Sequence, residues 1–158
     1  MSERSENDLS ADTAAPVLTR DGRVALEEKA RRLEEEVIPT CAQRLREGES
    51  DPNLIADYDR AVLELANLSN VLRRAVDAED LPADPLVVEL GDTVTLGMPD
   101  GAIERYVIVH PAEAPLDRLR ISSDSPMSKA VLGHRIGEKV EVAAPVGRFQ
   151  VEVLGVER

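Results

Sequence analysis

The feature that most constrains the fold is a change in hydrophobic period near residue 80. From Leu18 to about Asp77, apolar residues recur at helical spacing, whereas from about Leu81 to Arg158 they recur mainly at every second position. A period near 3.6 residues indicates amphipathic helices, and a period of two indicates half-buried strands. The chain is therefore predicted to join a helical part to a β-rich part in an α+β protein.

The first half of the helical part has clear start and stop signals. Thr19 is a predicted N-cap, Gly48 is a predicted C-cap, and Pro39 interrupts the run and is expected to kink the helix. The apolar stripe of this first helix consists of Leu26, Leu33, Val37, Cys41 and Leu45. Their spacing keeps all five on one face, so Cys41 is interpreted as a buried structural thiol.

A second helix is predicted to start at Pro52, with Asp51 as its cap. Its stripe is close to a heptad pattern and consists of Leu54 or Ile55, Tyr58, Val62, Leu65, Leu68 or Ser69, Leu72 and Val76. A connection of a few residues between two such helices forces them to be antiparallel. The two helices are predicted to form a coiled-coil hairpin, with a first helix about 40 Å long.

Beyond the hairpin, short strands and turns predict an antiparallel β domain with one small helix. The predicted strands are Val87–Leu90, Thr93–Leu96, Ile103–Val109, Leu119–Ile121, Glu138–Val142 and Phe149–Val153. Ser125 and Pro126 open the small helix and Gly133 ends it. The predicted organisation is a disordered tail (1–16), a coiled-coil hairpin (17–77), a linker (78–86) and a β domain (87–158).

Composition excludes several classes of function. The net charge is −12 and aromatic residues make up 2% of the chain, which argues against direct sequence-specific binding of nucleic acid. A single cysteine excludes an internal disulfide framework. The two histidines lack metal-ligand spacing. No apolar run could span a membrane and the N-terminus is not a signal peptide, so a cytoplasmic protein is expected.

The residues resemble the Gre family of bacterial transcription factors, which act on RNA polymerase. The opening Leu18-Thr19-x-x-Gly22-x-x-x-Leu26, the position of Pro39 and the sequence Ala56-Asp57-Tyr58 are similar to the hairpin of that family. The C-terminal match is longer and consists of Ser125, Pro126, Ala130, Gly133, Gly137, Val140, Pro145, Gly147 and Val151-Glu152-Val153. The resemblance spans about Leu18 to Val156 and implies an FKBP-like fold for the β domain.

The resemblance also implies a mode of action. In the family, the β domain docks at the rim of the polymerase secondary channel and the hairpin passes down the pore. Cleavage factors carry an Asp and, three residues later, a Glu at the tip, which hold a second Mg²⁺ beside the metal of the polymerase. The position of the Asp corresponds to Asp51, but that of the Glu corresponds to Leu54, which cannot ligate a metal.

The tip nevertheless remains acidic through Glu47, Glu49, Asp51, Asp57 and Asp59. These side chains are interpreted either as solubilising and dipole-compensating residues or as carboxylates reaching toward the polymerase Mg²⁺, with Glu49 and Asp51 as the candidates for a shared site. No tightly bound cofactor is expected. The resemblance assigns polymerase docking to Asp124, Ser125 and Pro126, where Ser125 can also cap the small helix.

Three functions follow from this interpretation. The first is a regulator of RNA polymerase without catalytic residues of its own, monomeric and nearer to divergent, Rnk-type or anti-cleavage members than to a cleavage factor. The second is a true cleavage factor that uses Glu47, Glu49 and Asp51 to hold a second Mg²⁺. The third is an adaptor that self-associates through its coiled-coil stripe and never meets polymerase.

Overall fold

The computed structural model describes residues 14–158. The predicted disordered tail lies outside the described residues except for positions 14–16. The helical part comprises β1 (Val17–Leu18), α1 (Arg20–Arg32), a π-helical segment (Leu33–Val37), α2 (Ile38–Arg46), α3 (Pro52–Arg74) and β2 (Val76–Asp77). The remainder comprises short 3₁₀ turns (Ala78–Asp80 and Ala114–Leu116), β3 (Thr93–Gly97), β4 (Ile103–Val109), β5 (Arg120–Ser122), α4 (Pro126–Val131), β6 (Lys139–Ala144) and β7 (Gly147–Glu157). The predicted α+β fold is confirmed.

The hairpin is formed by α1, the π segment and α2 packing against α3. Its core cluster contains Leu18, Leu26, Leu33, Ala61 and Leu68, and Cys41 and Leu54 are buried nearer the tip. The predicted stripe of the first helix is confirmed at its buried positions, but the stripe of α3 is wrong at Val62, which is 41% exposed. Ala61 takes its place, because its small side chain lets the two helices approach closely. At the open end, β1 and β2 pair in parallel, with Val17 opposite Val76.

Pro39 changes the helix that contains it without ending it. Proline has no N–H, and its ring would clash with the carbonyl of Glu35 in a straight α-helix. The helix widens instead into the π segment immediately before it, where the N–H of Ile38 bonds to the carbonyl of Leu33. Such single-turn π insertions are a recognised cause of helix bending. The expected interruption at Pro39 therefore takes the form of a π-helical segment, and the helix continues beyond it as α2.

The sheet has the strand order β5-β4-β3-β7-β6. Pairings β3–β4, β3–β7 and β6–β7 are antiparallel, with a bulge in the β3–β7 pair between Thr95 and Leu96. Helix α4 packs against β6. The core beneath the sheet contains Val88, Val94, Leu96, Ile108, Val131, Val140, Val142, Val151 and Val153. These residues alternate along the strands, as a sheet with one buried face requires.

Two predictions for the β part are wrong. The antiparallel arrangement fails at one edge, where β5 pairs with β4 in parallel, because residues 110–119 carry the chain back alongside β4 before β5 begins. Val87–Leu90 is not a strand and contributes only an isolated bridge from Val87 to Arg135. The backbone of Val88 bonds instead to the loop after α4, through Gly133 and His134.

The hairpin and the sheet have separate cores. Among the described residues, the sheet core contains no residue of the hairpin, and the hairpin core receives only Ala112 and Leu116 from the part that follows it. Residues 87–158 are called the base domain below. The hairpin therefore meets the base domain at its open end and does not lie across the sheet. The predicted domain boundaries stay predictions. No helix within residues 14–158 is long and apolar enough to cross a lipid bilayer.

Candidate functional site

The tip of the hairpin, residues 47–51, is a compact turn. Gly48 adopts a φ of 91°, the left-handed conformation that glycine tolerates. The N–H of Gly48 bonds to the carbonyl of Leu45 at 3.2 Å, and that of Glu49 to the carbonyl of Arg44 at 3.2 Å. These two bonds form a Schellman motif, which closes the end of α2. The predicted helix stop at Gly48 is confirmed.

Helix α3 starts directly after this turn. An oxygen of Asp51 accepts a hydrogen bond from the N–H of Asn53 at 2.9 Å, and Pro52 occupies the first helical position. This cap satisfies one of the free N–H groups at the start of the helix. Asp51 therefore has a structural task at the tip.

The tip carboxylates are exposed, and several have partners on the hairpin itself. Glu49 receives two bonds from Arg44, at 2.8 Å from Nε and 2.5 Å from Nη2. Glu47 accepts from Gln43 at 2.9 Å, and Asp57 pairs with Arg60 at 3.0 Å. The hydrogen bonds from Arg44 hold the pKa of Glu49 below its usual range. Glu49 is therefore ionised at neutral pH and already paired with a cation.

Leu54 does not face outward from the tip. Its side chain is only 4% exposed, whereas the neighbouring Ile55 is 44% exposed. Burial in an apolar setting stabilises a leucine by about 2 kcal/mol and would disfavour a carboxylate. The position that the resemblance assigns to the family Glu is therefore a buried position of the hairpin.

The two candidate magnesium ligands of the tip already have partners within the hairpin. Mg²⁺ requires near-octahedral oxygen ligands, but both oxygens of Glu49 face Arg44 and one oxygen of Asp51 caps α3. Within residues 14–158, no group of three or more His, Cys, Asp or Glu side chains is placed to hold a metal ion. The shared Mg²⁺ at Glu49 and Asp51 stays a prediction that requires further ligands from a partner.

The second candidate region is Asp124–Pro126, called the docking loop below. Ser125 caps α4 by accepting from the N–H of Ser128 at 3.2 Å, and Pro126 is the first residue of the helix. Asp124 and Pro126 are exposed. Beside them runs a groove of about 400 Å³ lined by Asp124, Pro126, Lys129, Ala130, Glu141 and Ala143. The cap ties the loop to the start of α4, and its exposed residues are accessible to a partner.

A third group of polar residues was not predicted as a site. The carboxylate of Glu113 is 0% exposed. It accepts a bond from the N–H of Thr19 at 3.1 Å, one from the Thr19 hydroxyl and one from Arg120 Nη1 at 3.2 Å. Only the capping role of Thr19 was readable from the sequence, because Glu113 and Arg120 lie about a hundred positions away. These residues connect the start of α1 to the base domain.

The role of Asp51 can be separated into cap and charge. Asp51→Ala is expected to lower the free energy of unfolding by about 1 kcal/mol, whereas Asp51→Asn retains the capping oxygen and is expected to preserve stability. Thermal or urea unfolding followed by circular dichroism measures both. Equal destabilisation by the two variants would contradict the capping role and indicate that the charge itself matters for stability.

The fold and the candidate regions define a class of protein. A helical hairpin projects from a β-rich base, an acidic turn lies at its far end, and a capped loop on the base is accessible to a partner. A family model described as "Transcription elongation factor, GreA/GreB, C-term" matches residues 83–158. The GreA elongation factor of Bacillus cytotoxicus is 38% identical over 150 residues, which cover 89% of this chain and 95% of that protein. The chain belongs to the GreA/GreB family of transcription elongation factors.

A further sequence relative agrees with this assignment. GreA of Geobacillus kaustophilus is 35% identical over 150 residues, which cover 89% of this chain and 95% of that protein. Among solved structures, the GreA factor homolog 1 (Gfh1) of Thermus thermophilus is 31% identical, covering 92% of this chain and 100% of that chain, with a TM-score of 0.41. The assignment to the family depends on the sequence relatives.

Proposed function

We propose that this protein regulates bacterial RNA polymerase in the cytoplasm, as a monomer that docks through its base domain at the secondary channel and inserts the hairpin tip. We further propose that it does not stimulate transcript cleavage. Membership of the GreA/GreB family supports the polymerase as partner. The proposal that cleavage is not stimulated depends on the structure of the hairpin tip.

The burial of Leu54 is the main support for the proposal that this protein does not stimulate transcript cleavage. The family pattern requires a second carboxylate at this position, and here the side chain is apolar and packed inside the hairpin. A nearby carboxylate, Glu49, is held by Arg44 on the same hairpin. A hydrolytic role needs metal ligands that are free and correctly placed. The tip offers an acidic surface near the polymerase metal without a complete ligand set.

The architecture supports a monomeric lever. Leu26, Leu33, Ala61 and Leu68 are buried within the hairpin, so these core positions of the stripe are not available for self-association. The helical run from Arg20 to Arg46 has a length of about 40 Å at 1.5 Å per residue. An adaptor that self-associates through this stripe is not favoured.

A cleavage assay on backtracked polymerase complexes tests the proposal. With Mg²⁺ present, we expect no stimulation of RNA cleavage by this protein, and we expect it to suppress cleavage by an active GreA in proportion to its concentration. The suppression follows from competition for one channel. Stimulation of cleavage that is lost in Glu49→Gln or Asp51→Asn would instead establish the cleavage-factor alternative.

A charge reversal in the docking loop tests the proposed site of polymerase binding. Asp124→Arg reverses a charge on the exposed loop, far from the hairpin tip in sequence, and is expected to weaken polymerase binding at least tenfold, about 1.4 kcal/mol. Glu157→Arg makes the same change of charge at an exposed position outside the docking loop and is expected to leave binding unchanged. Equal affinity of both variants would contradict docking through Asp124.

A further inference from the structure

We propose that Glu113 is a positioning residue that fixes the direction of the hairpin relative to the docking loop. The proposal rests on the proposed function, since a fixed direction matters only if the tip must reach a defined place in a partner. A fully buried carboxylate is rare and unfavourable unless it is paired and hydrogen-bonded. Glu113 meets both conditions through two residues. Arg120 pairs with its charge, and Thr19 of the hairpin donates two hydrogen bonds to it.

The contacts of Glu113 form a joint, defined here as Thr19, Gly22, Glu113 and Arg120. The Thr19 hydroxyl donates to Glu113 and accepts from the N–H of Gly22 at 3.0 Å and from Arg120 Nη1 at 3.0 Å. The hydroxyl thereby bridges the first turn of α1 to the base domain. The carboxylate also lies at the positive end of the α1 dipole, which stabilises its charge.

Gly22 makes room for this carboxylate. A Cβ atom at position 22 would lie 1.3 Å from Glu113 Oε1 and 2.7 Å from Thr19 Oγ1. The residue lies inside α1, where glycine is less favourable than alanine by about 1 kcal/mol. A glycine at this position therefore indicates that space for Glu113 outweighs helix propensity.

The joint is also close to the docking loop along the chain. Arg120 is the first residue of β5, and this strand leads through Ser122 into Asp124–Pro126. Ser122 holds the loop by accepting two hydrogen bonds: its hydroxyl accepts from the N–H of Asp124 at 3.1 Å, and its carbonyl oxygen accepts from the N–H of Ser125 at 2.9 Å. The residue that contacts the hairpin and the loop that faces a partner thus belong to one short segment.

The length of the hairpin amplifies any error at the joint. A tilt of 5° at the base moves a tip 40 Å away by about 3.5 Å, given the rise of an α-helix. Misplacement of reacting or binding groups by about 1 Å can already reduce activity by a large factor. The apolar contact of Ala112 and Leu116 with the hairpin holds the two parts together but is not directional, whereas the hydrogen bonds of the joint require a defined geometry. The bonds of Arg158 to the carbonyls of Ala78 and Leu81 reach only the segment after the hairpin, so the joint is the polar contact made to the first turn of α1.

Distances between spin labels test this proposal on the full chain. In a Cys41→Ala background, nitroxides are attached at Ser50→Cys on the tip and Val146→Cys on the base domain, a position that is 93% exposed. Double electron–electron resonance is expected to give one narrow distance distribution for the parent and for Thr19→Ser, which keeps the hydroxyl. Glu113→Gln and Thr19→Val are expected to broaden the distribution at least twofold.

The controls separate positioning from folding and from docking. Glu157→Gln is the same substitution at an exposed ion pair with Arg105 and is expected to keep the narrow distribution. If Glu113→Gln does not fold, the distance distribution of Thr19→Val tests the proposal instead, because this variant retains the buried carboxylate. Unchanged distributions in the folded variants would overturn the proposal. If no protein, including the parent, binds polymerase, the proposed function fails while the distances still determine the role of Glu113.

Discussion

Replacing Arg158 with glutamine is expected to lower the free energy of unfolding by about 3 kcal/mol at neutral pH. Arg158 Nε donates to Asp92 at 2.9 Å, and the side chain of Asp92 is only 2% exposed. Arg158 also donates to the carbonyls of Ala78, Leu81 and Leu90. Its loss would leave a buried carboxylate without its cation and would remove the side-chain donor from three carbonyls, of which, within residues 14–158, only that of Ala78 keeps another bond, from the N–H of Leu81. This combination is strongly destabilising.

The destabilisation caused by Arg158→Gln is expected to decrease as the pH falls. Burial raises the pKa of Asp92, against the opposing effects of the N–H of Glu89 and of Arg158. A raised pKa in the folded state means that folding takes up a proton between the unfolded and folded pKa values, so this group favours folding more as pH falls. Without Arg158 the pKa of Asp92 rises further. The difference between variant and parent should therefore be largest above the folded pKa and shrink toward acid pH.

Urea unfolding at pH 7.5 and pH 5, followed by circular dichroism, measures this difference. The double variant Asp92→Asn/Arg158→Gln provides the control, because it removes the buried charge as well as its partner. It is expected to be more stable than Arg158→Gln alone at pH 7.5 and to lose most of the pH dependence. A deficit for Arg158→Gln that stays constant with pH would contradict the role assigned to the Asp92 charge.

Features set by neighbouring residues could be predicted from the sequence. The caps at Thr19, Asp51 and Ser125 and the helix stop at Gly48 are all observed. Each depends on hydrogen bonds across two to five residues, and the required side chain or glycine is visible in the sequence. Strand β4 was predicted with the correct ends for a similar reason, since alternation defines it without knowledge of its partners.

Features that depend on distant partners could not be predicted. The choice between Leu54 and Ile55 remained open, and the structure buries Leu54 because of its position opposite the first helix. The parallel pairing of β5 depends on the path of the preceding connection, which the local pattern does not encode. The Arg44–Glu49 pair spans five residues, outside ordinary helical spacing, and becomes possible only because the turn at Gly48 reverses the chain.

The joint around Glu113 shows the same limit at a candidate site. Glu113 lies in a segment rich in proline and alanine, and nothing in its sequence neighbours distinguishes it from a solvated loop acid. Thr19 has a complete role as a helix cap, which gives no reason to look for a second partner 94 positions away. Only the folded arrangement shows that the cap is shared with the base domain.

Replacing Gly22 with alanine is expected to lower the free energy of unfolding by about 3 kcal/mol, although alanine favours helix. The added Cβ would overlap Glu113 Oε1. The carboxylate could move away only by breaking its bonds to Thr19 and Arg120, and hydrogen bonds to a charged group contribute about 1.5 to 3 kcal/mol each. The gain in helix propensity, about 1 kcal/mol, offsets only part of this loss.

Gly155→Ala is the matched control for this substitution. Its added Cβ would meet Thr95 at an ordinary distance of 3.7 Å, so the change in stability is expected to stay within about 0.5 kcal/mol. Equal destabilisation by the two variants, measured by urea unfolding, would show that loss of a glycine is harmful in general and would contradict a specific overlap with Glu113.

A double-mutant cycle identifies the partner of Gly22 directly. In a Glu113→Ala background the carboxylate is absent, so Gly22→Ala no longer displaces it. The gain in helix propensity, up to about 1 kcal/mol, then opposes only the remaining close approach of the added Cβ to Thr19 Oγ1, 2.7 Å away. The substitution is therefore expected to change from destabilising to neutral or stabilising, which corresponds to a coupling of about 3 kcal/mol or more. Additive effects of the two substitutions would mean that position 22 is constrained by its own helix. Strong coupling would instead mean that the first turn of the hairpin has been shaped to receive a side chain of the base domain.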